Sequence, residues 1–342
     1  MQFSLKQYAW GAALMGLALG VMPMDSSAAE WANPGLLATP DVVKANAGKP
    51  DWVVIDCRDL KDYAEGHIPG AISLGGPCGA VLRDTSNRAF TDVGWYERLL
   101  GKVGISNANH VVVYHGDMRT LNDATVAFWI LEWLGHDKVY FLNGGIDAWR
   151  KGGNRLDTKP EVRAPATFAA KPVKSRLSET NEISDIAAGK IKGVQLIDSR
   201  TAAENKGQDI RAVRGGHVPN TTINISHLDT LVKEKNPKTG KMEAVAYLSP
   251  DAAAELAKFD RNKRTISYCQ TGTRSTLTYL QLRLLGFKDA SNWDESWRIY
   301  GSTPGTLVAD EQWFDFATVN AKIKSLEGKI TDLEAALAAA KK

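Results

Sequence analysis

The stretch ISYCQTGTRSTLTYL, residues 266–280, puts one of the chain's three cysteines at the end of a β-branched, aromatic approach. Gln270, Thr271, Gly272, Thr273 and Arg274 follow, and an apolar-periodic run begins near Ser275. A strand that ends in a short polar loop and re-enters as a helix presents its carboxyl end, where α/β sheets hold ligands. Gly272 allows a tight curl with N–H groups turned inward, and the following helix adds its positive N-terminal end. Such a cage favours a thiolate, the nucleophilic form of cysteine. The chemistry implied is attack by Cys269, with Gln270, Thr271, Gly272, Thr273, Arg274 and Ser275 cradling an anion. The alternative is a buried strand-end thiol acting as a small hydrophobe, which is how Cys57, at the end of VVIDC, is read.

Loops that wrap phosphate start with a cysteine, five residues and an arginine. Here Arg274 follows after only four, and a tighter ring suits a single sulfur atom carried on the cysteine. His67 and His217 recur in GHIP and GHVP, which points to turn hydrogen bonding. No cluster of Cys, His and acids has metal-ligand spacing, and no cofactor is expected.

The elements that must position this loop are duplicated. WVVIDCRD (52–59) matches VQLIDSRT (194–201), and EGHIPGAISL (65–74) matches GGHVPNTTINI (215–225). HVVVYHGD (110–117) matches RTISYCQT (264–271), and LGHDKVYFLNGGIDAW (134–149) matches LGFKDASNWDESW (285–297). Four blocks in one order indicate two similar domains. In the first half, expected strands at 52–56, 71–74, 110–114 and 138–142 alternate with helices at 59–64, 92–101 and 121–134. That alternation predicts an α/β fold with parallel sheets covered on both faces. Residues 153–178, with three prolines and little periodicity, read as a linker.

With these blocks in view, the chain resembles the tandem rhodaneses, the thiosulfate sulfurtransferases. CQTGTRS looks like their active loop, and VVIDCRDLKDYAEGHIPGA, LNGGIDAWRKGG and NWDESWRIYG look like their fingerprints. The resemblance covers roughly residues 36–305. It implies two rhodanese-like domains, each a parallel sheet flanked by helices: an inactive one over 30–152 and a catalytic one over 179–305, with the active site in the cleft between them. It also implies ping-pong transfer of sulfane sulfur from thiosulfate to cyanide or a thiol through a Cys269 persulfide. Aligning Tyr114 with Tyr268 places His115 where the cysteine would be, so the first domain is expected to shape the cleft. A catalytic base is the weaker reading of His115. Arg274, and less strongly Arg211 and Arg214, are expected to line the entrance for a dianion. Vertebrate-type members carry an arginine four residues after the DSR arginine, whereas this chain has Glu204 there. The loop also lacks the GVTA ending of mercaptopyruvate sulfurtransferases. Both departures favour thiosulfate over mercaptopyruvate. A sulfur carrier that hands its persulfide to a specific protein is the competing reading.

The chain's 342 residues, 44% hydrophobic and 24% charged, fit a two-domain globular protein. A net charge of +3 without a dense basic run argues against nucleic acid. Residues 1–29 show Lys6, an apolar stretch from Ala9 to Met22 and the small-residue exit SSAA, the pattern of a cleaved secretory signal. The apolar stretch is short of the roughly 20 residues needed to span a bilayer. The expectation is therefore a periplasmic or secreted protein without stable membrane insertion. In such a compartment Cys57 and Cys78 could pair, although the sequence favours their remaining separate. The tail, 306–342, carries Ile323, Leu326, Ile330, Leu333 and Leu337 at 3-4-3-4 spacing, a helix stripe suited to self-association, to a partner or to docking on its own domain.

Overall fold

The computed structural model describes residues 30–83, 90 and 92–341, so the expected leader, residues 1–29, lies outside the described residues. Strands of the first half are β1 (Leu37–Ala38), β2 (Trp52–Asp56), β3 (Ala71–Ser73), β4 (His110–Tyr114) and β5 (Val139–Leu142). They form a parallel sheet in the order β1-β5-β4-β2-β3. In the second half, β6 (Leu177–Ser178), β7 (Gln195–Asp198), β8 (Arg214–His217), β9 (Ile223–Asn224), the hairpin β10 (Lys233–Lys235) and β11 (Met242–Ala244), β12 (Thr265–Tyr268), β13 (Ala290–Trp293) and β14 (Ala309–Trp313) follow. The second sheet runs β6-β13-β12-β7-β9, again parallel. Its order repeats that of the first, so the duplication in sequence is a duplication in topology. Helices at Leu60–Glu65, Val93–Lys102 and Leu121–Trp133 occupy the expected places.

The two halves share a core because the helices at their junction are built to be interior. Leu121–Trp133 is apolar around nearly its whole circumference, and Ala124 through Leu131 are all buried. It packs on Ser275–Leu284 of the second half, whose Leu277, Tyr279, Leu280 and Leu282 join the same apolar cluster. Polar groups at this seam are paired. Thr125 Oγ1 meets Thr276 Oγ1 at 2.7 Å, and Arg283 Nη2 donates to Glu132 at 2.9 Å. The seam repeats itself across the two halves. Asn143, just after β5, exchanges two 2.9 Å hydrogen bonds with Leu248, and Asp294, just after β13, pairs at 2.7 Å with Arg83 of the first half.

Residues 158–173 contain no helix or strand, yet they are fastened. Ala166 N donates to Gly101 O and Lys171 N to Leu134 O, each at 2.8 Å, and Phe168 is buried. This segment is therefore a strap laid across the first half's helices. One expectation is overturned: Cys57 and Cys78 form a disulfide, their Cα atoms 4.7 Å apart. The sequence hid this because the pairing depends on the turn after β3, which brings Cys78 N to donate to Cys57 O at 3.4 Å. His67 sits where the repeat suggested, its Nδ1 2.8 Å from Tyr63 O, and His217 Nδ1 lies 3.1 Å from Asn205 O.

Candidate active site

An Asp-X-Arg unit at the end of a central strand frames the loop in each half. Arg200 donates from Nε to Asp198 Oδ1 at 2.9 Å and from Nη2 to Oδ2 at 2.6 Å, and Nη2 also reaches Gly216 O at 2.8 Å. Arg58, Asp56 and Gly66 O repeat these three bonds in the first half at 2.9, 2.6 and 2.8 Å. Both pairs are buried. A charge without its partner there would be costly, so the unit fixes the strand end rigidly.

Cys269 follows β12 directly, fully buried, and is the free cysteine among the described residues. Its carbonyl accepts from Trp297 N at 3.1 Å, and its own N–H donates to Ser296 Oγ at 3.1 Å. Ser296 in turn donates to Trp293 O at 2.6 Å and holds φ +51°, a left-handed value uncommon outside glycine. The loop then bends at Gly272, φ +72°, where a Cβ would collide with the Asp294 main chain. Asn292 Nδ2 holds Gly272 O at 3.1 Å, and Ser275 Oγ donates to Asn292 Oδ1 at 2.6 Å. Among the described residues, the N–H groups of Gln270, Thr271, Gly272, Thr273, Arg274 and Ser275 donate to no protein acceptor. Six consecutive amides without a protein acceptor thus follow one buried thiol, and the helix Ser275–Leu284 starts among them.

The structure thus brings together every loop residue singled out in the sequence, but it changes the electrostatics. Arg274 is paired. It donates to both carboxylate oxygens of Glu204, at 2.8 and 2.7 Å. Burial pushes the Glu204 carboxyl up, but Arg274, the Thr201 N–H and Arg211 outweigh it and hold the group at about 2. Burial likewise opposes the charge on Arg274, while Glu204 and the Cys269 side chain favour it, and the net shift is upward. Arg274, expected among the cations lining the entrance, therefore stands there with its charge offset by Glu204. Arg211 is engaged by Asp209 at 2.6 Å, with Glu204 at 3.7 Å. Arg214 does not face the cleft; it is buried against Gly301 O, Thr303 O and Glu311, where it secures β14 against β8.

Sequence reasoning missed three contributors. Arg83, from the first half, donates to Thr273 Oγ1 and Thr271 O while paired with Asp294, so the opposite half clamps the loop. Nothing local to Arg83 signals this. Ser296 and Asn292 also hold the loop, and Ser296 was detectable, because it aligns with Gly145, which has φ +54°. His227 is buried beside Arg274; burial first, then that arginine's charge, lower it to about 4. His115 stands in the first half where Cys269 stands in the second: its carbonyl accepts from Ile146 N at 2.9 Å, as that of Cys269 does from Trp297 N.

The comparisons with known proteins agree with this geometry. The Rhodanese-like domain model matches residues 39–152 and 183–302. A Mycobacterium leprae protein named "Putative thiosulfate sulfurtransferase" is 34% identical over 288 residues, 81% of this chain and 98% of that one. A Corynebacterium glutamicum protein named "Thiosulfate sulfurtransferase" is 30% identical over 80% of this chain and 90% of its own. Among solved structures, an anaerobic ergothioneine biosynthesis enzyme from Chlorobium limicola superposes with a TM-score of 0.67. It has 18% identity and covers 82% of this chain and 71% of that one, a likeness of fold alone. With two matched domains, a duplicated parallel sheet and relatives aligned over most of its length, the chain belongs to the rhodanese family and is a sulfurtransferase.

Proposed function

We propose that the protein moves sulfane sulfur from thiosulfate to cyanide or a thiol through a persulfide on Cys269. The observation that carries this is a buried, unpaired thiol followed directly by six amides, Gln270–Ser275, that meet no acceptor among the described residues. The Cys269 thiolate attacks the outer sulfur of thiosulfate. The sulfur–sulfur bond of the donor breaks and its electron pair leaves with sulfite. The persulfide's negative charge is met by the loop amides, which have no protein acceptor to give up first. The acceptor then attacks the outer sulfur, the persulfide bond breaks and the thiolate returns. Electrons balance within the two substrates, so no external oxidant or reductant enters. Glu204 neutralises Arg274, so backbone amides carry most of the recognition of the donor dianion. The names of the curated relatives support thiosulfate as donor. Steady-state turnover with thiosulfate and cyanide tests the reading; a sulfur carrier would turn over poorly under the same conditions.

We also propose export. The leader pattern of residues 1–29 supports it, as does the Cys57–Cys78 disulfide, a bond that persists in oxidising compartments. Among the described residues no helix is long and apolar enough to cross a membrane. Cell fractionation with N-terminal sequencing of the mature chain tests it; a protein found in the cytoplasm with Met1 intact would overturn it.

A further inference from the structure

We propose that the C-terminal helix, Phe316–Ala340, is one strand of a parallel, in-register, two-stranded coiled coil whose other strand is the same helix of a second copy of this chain. The helix runs 25 residues, about 37 Å, and opens on an Asp315 cap whose Oδ1 accepts from Thr318 N at 3.0 Å. No residue of it is buried. Phe316, Val319, Ile323, Leu326, Ile330, Leu333 and Leu337 form one stripe with 3-4 alternation, and each is 37–69% exposed. The helix therefore does not dock on its own domains, and its apolar face lacks cover.

The residues beside the stripe say what covers it. In heptad terms Phe316, Ile323, Ile330 and Leu337 fall at a, and Val319, Leu326, Leu333 and Ala340 at d. Isoleucine at a with leucine at d, as in the two central heptads, is the pattern of parallel dimers. Lys322 and Lys329 then fall at g, and Glu327 and Glu334 at e. In a parallel pair each g residue faces the e residue of the next heptad across the seam. Lys322 meets Glu327 of the partner subunit, and Lys329 meets Glu334 of the partner subunit, with both pairs repeated on the other side. An antiparallel pair would set lysine against lysine and glutamate against glutamate. Gly328 and the alanines at 321 and 335 fall at f, the solvent-facing position, where a helix needs no packing side chain. The charges therefore select a second copy, and its direction, over an unrelated apolar groove.

Sedimentation or light scattering on the full chain and on a chain ending at Asp315 tests the proposal. The full chain should be a dimer and the truncated one a monomer with unchanged sulfur transfer. A Leu333→Cys variant should cross-link to itself under mild oxidation, because d positions face their own counterparts only in the parallel register. Lys322→Glu with Lys329→Glu should raise the dimer dissociation constant at least tenfold, and mixing it with Glu327→Lys, Glu334→Lys should restore association. A monomeric full chain, a trimer, a truncated chain that still dimerises or a Leu333→Cys variant that fails to cross-link would each overturn it.

Discussion

The loops after β4 and β12 begin from the same frame and end in opposite hydrogen bonding. Each follows a central parallel strand, each is braced by a buried Asp-X-Arg unit, and each spans six residues before its helix. In the first half the loop closes on itself. Gly116 N and Asp117 N donate to Thr120 Oγ1 at 2.8 and 3.3 Å, and Arg119 N donates to Asp117 Oδ1 at 2.9 Å. In the second half the amides are left for a ligand, and the loop is held from outside by Asn292, Ser296 and Arg83. The stapling differs as well. Cys57 and Cys78 occupy the places that Ser199 and His227 take in the second half, since Cys78 N reaches Cys57 O as His227 N reaches Ser199 O. One frame therefore leaves its loop amides free only where side chains outside the loop do the holding, and on the proposed mechanism only such a loop can serve as an anion cradle. The cysteine by itself is insufficient.

The hardest test of that statement is to give the first half a cysteine. A His115→Cys, Cys269→Ser chain should fold and show no sulfur transfer above the uncatalysed rate, because the first loop's amides are already committed. Turnover from that variant would mean that loop chemistry matters less than the thiol.

A second difference to exploit is pH. His115 is buried with both ring nitrogens unpartnered and, by burial chiefly, is lowered to about 4; His227 is lowered to about 4 as well. Both rings stay neutral in the fold while the unfolded chain takes up protons below about pH 6.5. Stability is thus full above that value and falls as pH drops toward 4, by up to about 3 kcal/mol for each ring. Urea midpoints at pH 7.5 and 5 should show this loss, and His115→Leu, His227→Leu should flatten it. An equal loss in the variant would remove both histidines from the account. Gly272→Ala should cost roughly 1–3 kcal/mol of loop stability through its left-handed φ, and more through the clash with Asp294. Gly116→Ala, whose Cβ would press on the buried Arg58 side chain, should cost stability yet leave sulfur transfer by the folded protein unchanged. Equal activity losses from the two would erase the contrast between the loops. The smallest effect expected is from Glu204→Gln. Removing the charge that offsets Arg274 should lower the KM for thiosulfate a few-fold, with kcat little changed. A raised KM would show that the Glu204–Arg274 pair positions the loop more than it screens it.

Much of this was legible in the chain. Apolar β-branched runs located β2 and β4 to the residue, because strands buried on both faces leave no polar alternation to confuse them. The duplicated blocks gave the topology and the position of His115 opposite Cys269. What stayed hidden depended on distance in sequence. Arg83 lies 188 residues from Thr271, and its partners exist only once the halves pack. The disulfide required the geometry of a turn. The pairing of Arg274 was not legible because Glu204, noticed as a departure, gives no sign in sequence that its carboxylate will turn back onto that arginine.

The central claim is that sulfur is carried on Cys269 and on no other side chain. Intact and peptide mass spectrometry after thiosulfate treatment, with cyanide withheld, measures it directly. The account predicts a gain of one sulfur atom, confined to the peptide containing Cys269, erased by cyanide and absent in Cys269→Ser. A sulfur adduct on Cys57 or Cys78, or one that persists in Cys269→Ser, would contradict it.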